Sequence, residues 1–157
     1  MTGVATLAIR VREHWLSHGL GVSPVPSAEL TELKRRRPEG IPEAYEEFLL
    51  IAGLPAGDDE QGFRFWLPRE VAATRDVLEA SGYRSNATES SLIIADYLQE
   101  SWWYALWLAG PFRGSVSLVL GVENGTDPQP PLGTFNEFLF AYLNDDAILY
   151  RGTHSVP

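Results

Sequence analysis

The chain has 157 residues, 45% of them hydrophobic, which is close to the commonest length of one domain and enough to fill one substantial core. Its formal charge of −9 is unevenly spread: residues 1–40 carry six basic and four acidic side chains, for +2, and residues 41–157 carry six and seventeen, for −11. A field of that sign repels phosphate backbones and speeds encounter with basic proteins, so it argues against nucleic acid as a direct ligand; the plainer reading is that carboxylates keep the domain in solution.

With no cysteine, disulfides and thiolate metal sites are excluded, and a reducing cytoplasm is the compartment expected. Arg10, Arg12 and Glu13 interrupt any apolar run that could serve as a signal peptide, and no stretch is long enough to span a membrane. The sequons Asn86-Ala87-Thr88 and Asn124-Gly125-Thr126 read as turns. One domain over 1–157 is expected, with a loose tail from about residue 152.

In chain order, Val4, Leu7, Ala8, Val11, Trp15 and His18 recur at helical spacing and predict a first helix stopping at Gly19 or Gly21. Ser27 can cap a second helix from Ala28 to about Arg37, ended by Pro38 and Gly40. A third begins near Pro42, with Glu43, Glu46 and Glu47 at its positive end and Ile41, Tyr45, Phe48, Leu49 and Ala52 as its buried face. Leu54 to Gly62 reads as an acidic loop, Phe63 to Trp66 as a short strand, and Leu67 to Ser81 as helical again.

Three strands are predicted next: Leu92–Tyr97, Trp102–Leu108 and Val116–Val122, the last two joined by a loop of hairpin length. The middle one is apolar on both faces, with Trp102, Tyr104, Leu106 and Leu108 on one and Trp103 and Trp107 on the other. It should therefore be central, covered by helices on one side and by a smaller layer or a partner on the other. After a Pro-rich loop over Glu123–Pro131, Thr134 and Glu137 stand three apart as in a capping box; Phe135, Phe138, Leu139, Tyr142 and Leu143 supply the helix's core side. Ala147–Tyr150 is read as a last strand.

Candidate chemistry is sparse. His14 and His18 stand i, i+4, a metal-binding spacing, but Trp15 occupies the place where the metalloprotease pattern needs Glu and no third ligand is near, so no metal and no cofactor are expected. Asp96 and Glu100 flank a strand end and could act as acid and base, or contact a partner. The basic quartet Lys34-Arg35-Arg36-Arg37 suits a helix C-terminus. Asp58, Asp59 and Glu60 lie in a loop without the alternating pattern of a calcium site, which leaves solvation or recognition.

The segments Ile41-Pro42-Glu43-Ala44-Tyr45-Glu46-Glu47-Phe48-Leu49 and Gly133-Thr134-Phe135-Asn136-Glu137-Phe138-Leu139-Phe140-Ala141-Tyr142-Leu143 together resemble the SUKH superfamily, which includes Smi/Knr-type cell-wall regulators and bacterial immunity proteins. The resemblance covers about residues 28–145; Ile41 stands for the usual Leu, Thr134 for Ser, and Ala52-Gly53 for Asn-Gly. It implies an α+β fold, a mainly antiparallel sheet of about four to six strands packed against several helices, and no catalytic residues. It also implies neutralisation of a nuclease or deaminase toxin. The function expected is thus a non-catalytic protein-binding domain of the immunity type, with Asp58, Asp59, Glu60, Asp96 and Glu100 as partner contacts. The alternatives are a regulatory scaffolding module and, behind it, a hydrolase using Asp96 and Glu100.

Overall fold

A computed structural model describes residues 3–85, 90–121 and 128–151; both sequons fall outside them, as does the tail from residue 152. The first helix, α1 (Val4–Ser17), buries Leu7, Ala8, Val11 and Trp15 along one stripe and stops where Gly19 turns to φ +79°. His18, expected in that stripe, is instead the exposed C-cap. Two residues, Val22–Ser23, form β1.

Helix α2 (Ser27–Arg35) starts one residue earlier than expected. Pro26, not the Ser27 side chain, closes its N-terminus: the proline carbonyl accepts the Glu29 and Leu30 N–H groups, and its fixed φ of −61° presets the entry. Helix α3 (Glu43–Ala52) buries the face expected of it, Tyr45, Phe48, Leu49 and Ala52, with Ile41 packed ahead. At its end Gly53 has φ +68°, and a Cβ there would stand 2.5 Å from the Ser23 carbonyl oxygen. That close approach lets Leu54–Pro55, expected to be loop, form β2 as an antiparallel partner of β1.

The larger sheet begins with β3 (Phe63–Phe65). Residues 67–81, expected to be helical throughout, divide. Glu70 Oε1 accepts the Leu67 N–H at 3.0 Å and makes a turn; Ala72–Ala73 then form β4, and only Thr74–Ala80 is helical, as α4. Strands β5 (Ser91–Tyr97), β6 (Trp102–Trp107), β7 (Ser115–Leu120) and β8 (Gly133–Thr134) follow. Next come α5 (Phe135–Leu143), with the capping box of Thr134 and Glu137 formed in both directions, and α6 (Ile148–Arg151). The last is a helical turn where a strand was expected, because Asp146 Oδ1 accepts the Ile148 N–H at 3.0 Å and the Asp146 carbonyl takes that of Leu149.

The architecture is α+β. The main sheet runs β3-β5-β6-β7-β8, all antiparallel, with β4 on the same edge of β5 as β3. Strand β6 is central and buried on both faces. One face packs on α1, α3 and α5 through interlocked rings, Trp15–Phe65 at 5.5 Å, Phe48–Phe135 at 5.4 Å, Phe63–Tyr142 at 4.8 Å and Tyr104–Phe138 at 5.5 Å between centroids. The other, carrying Trp103 and Trp107, is crossed by the chain from Thr74 to Tyr83: Thr74 and Ser91 share a 2.7 Å hydrogen bond, and Tyr83 meets Trp103 edge-on at 6.0 Å. Gly121 admits that tyrosine, since a Cβ there would lie 2.5 Å from its ring.

One irregularity decides where the candidate carboxylates point. Pairing of β5 with β6 passes from Ile93↔Ala105 to Ala95↔Tyr104, leaving Ile94 as a bulge and reversing the alternation of the strand. Asp96 consequently lies opposite Trp103 on the second face, and Tyr97 opposite Trp102 on the helical face. Among the described residues no helix is long and apolar enough to cross a membrane.

Candidate functional site

The turn between β5 and β6 carries three successive non-glycine residues at positive φ: Leu98 at 48°, Gln99 at 53° and Glu100 at 66°. Each such residue costs about 1–2 kcal/mol, so neighbours must hold the turn. They do. The Leu98 N–H donates to the Gly62 carbonyl at 2.9 Å and the Ser101 N–H to that of Tyr97 at 2.9 Å. The Glu100 N–H donates to Asp96 Oδ1 at 3.1 Å, and Trp103 Nε1 to Glu100 Oε1 at 3.0 Å. Leu98 is left half-exposed at the tip.

Because Phe63 pairs with Tyr97, β3 brings the acidic loop against this turn. Contact is close enough to need glycine: at Gly62, with φ +90°, a Cβ would stand 2.7 Å from Leu98 Cδ2. Within the loop Asp59 is a structural hub. Its Oδ1 accepts the N–H groups of Gln61 and Phe63 at 2.9 and 3.0 Å, and its Oδ2 accepts the Tyr142 hydroxyl at 2.5 Å. Tyr142 in turn accepts Trp15 Nε1 at 2.8 Å. Burial pushes the Tyr142 phenol well above its ordinary value, and the Asp59 carboxylate raises it further. Asp58 and Glu60 are exposed, with Glu60 Oε1 3.1 Å from His18 Nε2.

The same end receives the chain after α5. Tyr150 donates to Asp145 Oδ1, Gln61 Nε2 reaches Asp145 Oδ2 at 3.4 Å, and the Tyr150 ring lies 4.9 Å from Tyr97, itself stacked on Trp102 at 4.9 Å. Burial first, then Asp145, holds the Tyr150 phenol up. The 58–62 loop, the turn at Leu98 and the chain after α5, which between them carry Asp58, Asp59, Glu60, Glu100, Asp145 and Asp146, thus meet at this end. Asp145, Tyr150 and Leu98 were not singled out from sequence. A clue existed for the first: Asp145-Asp146 follows the negative C-terminal end of α5, where acidic residues are electrostatically disfavoured.

Asp96 stands apart from this surface. It is fully buried, and its Oδ2 accepts Arg64 Nε and Nη2 at 3.1 and 3.0 Å and Trp66 Nε1 at 2.5 Å, while Oδ1 takes the Glu100 N–H. Arg64 also reaches Glu70 at 3.1 Å and lies over Trp66, 5.2 Å from its ring centroid. The expectation of a direct partner contact at Asp96 is therefore corrected: this carboxylate anchors the strained turn from inside. The same bonds occupy it as half of the Asp96/Glu100 acid–base pair. His14 and His18 place their rings 4.4 Å apart, His18 Nδ1 facing the His14 carbonyl at 2.8 Å, and among the described residues no group of three potential ligands converges on a metal position.

Three of the basic quartet lie among intramolecular acceptors. Lys34 pairs with Glu46 at 2.9 Å, Arg35 with Glu32 at 2.6 Å, and Arg36 meets Glu32 at 4.0 Å. Comparison with protein-family models, with curated proteins and with solved structures returns no match.

Proposed function

We propose that this chain is a protein-binding domain whose acidic end docks a basic partner, and that the partner is a toxin domain of nuclease or deaminase type, neutralised on binding. The observation that carries the reading is the collection of six carboxylates at the end that bears the exposed Leu98 by three segments far apart in sequence, the 58–62 loop, the 98–101 turn and the chain after α5. Hydroxyl, amide and backbone N–H groups hold Asp59, Asp145 and Asp146, and among the described residues no ion pair is formed by them, so their negative charge projects toward an incoming surface. A leucine fixed on a rigid turn suits an anchor, since little conformational entropy remains to be lost there on binding. The resemblance to immunity proteins of the SUKH superfamily supports the same conclusion independently of the charge.

The proposal predicts a toxin domain encoded beside the gene, and co-expression with it is the test. Growth should be rescued by the native chain, and Asp58→Lys with Glu60→Lys should slow association about tenfold or more at low salt, with the difference shrinking as salt rises. Equal killing with and without the protein would sink the proposal.

A further inference from the structure

Next to the acidic end, α5 and the short α6 enclose a cavity of about 220 Å³ between Leu132, Ala141 and Ile148, with Phe140 on its wall and the carboxylates of Glu137 and Asp146 among its lining groups. Phe140 is 51% exposed although the buried face of α5 is already completed by Phe135, Phe138, Leu139 and Tyr142. A cavity of this size is smaller than the roughly 300–1,000 Å³ typical of small-molecule sites, and it suits one large side chain. Each carboxylate uses one oxygen within the fold, Glu137 Oε1 on the Thr134 N–H and Asp146 Oδ1 on the Ile148 N–H, both at 3.0 Å. Apolar walls beside two carboxylates are complementary to an apolar side chain next to a cation.

We infer that this cavity is the anchor pocket for a cationic segment of the partner protein, receiving one aromatic or large aliphatic side chain while flanking lysine or arginine meets Glu137 and Asp146. The inference rests on the reading above that the partner is a basic protein. It extends the contact surface from the 58–62 loop along α5, with Asp145 as the link between the two. Phe140 supplies the apolar wall, and burying its exposed half is the hydrophobic contribution; the two carboxylates select against acidic segments.

Amide shifts of the isotopically labelled full chain, titrated with three synthetic peptides, provide the test. The first carries lysines around a single Phe, the second has Ser for that Phe, and the third has Glu for each Lys. The first should shift amides of residues 132–149 saturably, with the other two about tenfold weaker or more. Phe140→Ser and Asp146→Asn should each weaken the first peptide several-fold without altering the dispersion of the remaining amides. Equal shifts from the Phe and Ser peptides confined to residues 58–62 and 97–101 would overturn the pocket while leaving the acidic end as the docking surface. Absence of any shift at 132–149 overturns it as well. So would occupation of the pocket in the free protein, seen as concentration-dependent shifts from a second copy or as contacts from residues 152–157. Failure of toxin rescue together with a positive peptide result would instead reject the toxin and keep the pocket.

Discussion

The two ends of the sheet handle charge in opposite ways. At the end that carries the β6–β7 loop, Arg113 donates to the carbonyls of Glu39 and Leu108, Ser90 binds Glu39, and the preceding basic helix end is matched by Glu32 and Glu46. Both signs stand together there, Arg37 and Arg113 near the Glu39 carboxylate and the helix cations on Glu32 and Glu46, so much of the charge cancels within the fold. At the β5–β6 end the carboxylates are held by tyrosine hydroxyls, an amide and backbone N–H groups, partners that fix position without removing charge. Ionic side chains are thus structural at the end where cations stand beside carboxylates, and a source of outward field at the end where neutral donors hold the carboxylates.

If the acidic end is built on buried hydrogen-bonded groups and the basic end on exposed pairs, perturbations should rank accordingly. The largest effect should come from alkali. The phenols of Tyr104 and Tyr142 are raised above their ordinary value of 10.0 chiefly by burial, so between the unfolded and folded values the unfolded chain binds fewer protons. Stability is then fully present below about pH 10 and falls above it by about 1.4 kcal/mol per pH unit for each phenol. Urea midpoints followed across alkaline pH, with phenolate absorbance compared between the native chain and its Tyr104→Phe and Tyr142→Phe variants, should show ionisation of these two phenols coinciding with unfolding; either of them ionising in the folded protein near pH 10 would contradict the burial argument.

Replacing Asp96 by Ala should cost about 3–5 kcal/mol, because Arg64 and Trp66 Nε1 lose their buried acceptor and the left-handed turn loses an anchor. Equilibrium denaturation measures this, and a loss under 1 kcal/mol would mean that the turn is held by its other bonds alone. Tyr142→Phe strands Trp15 Nε1 and Asp59 Oδ2, for about 1–3 kcal/mol, and should also reduce the alkaline slope by one phenol's share. At the other end Lys34→Ala removes a half-exposed pair and should cost less than about 1 kcal/mol. A thermal shift for Lys34→Ala as large as that for Tyr142→Phe would erase the distinction between the ends.

Much of the fold was readable where a local pattern carries the structure. The buried stripes of α1, α3 and α5, the capping box at Thr134 and the two-faced β6 all follow from spacing within one segment. What escaped depends on partners distant in sequence. Strands β1 and β2 have two residues each and exist only through their pairing; β4 was hidden inside apolar residues that fit a helix; α6 turns on one aspartate side chain. For the candidate site, Asp58 and Glu60 are exposed in their loop and Glu100 is exposed in the turn. The burial of Asp96 could not be read, because the bulge at Ile94 breaks the alternation from which its face would be counted.

That bulge holds one more residue than the pairing of β5 with β6 uses. Because two residues there oppose one, deleting Ile94 would leave Ile93 opposite Ala105 and Asp96 opposite Trp103, whereas one residue inserted after Ala95 would turn Asp96 into the aromatic layer and carry it away from Arg64 and Trp66. The strand should therefore accept loss of the bulged residue yet reject an insertion beyond it. In a scan of insertions and deletions the ruler of this fold would lie at Ile94, inside the sheet, while its reading appears at the tip of the acidic end.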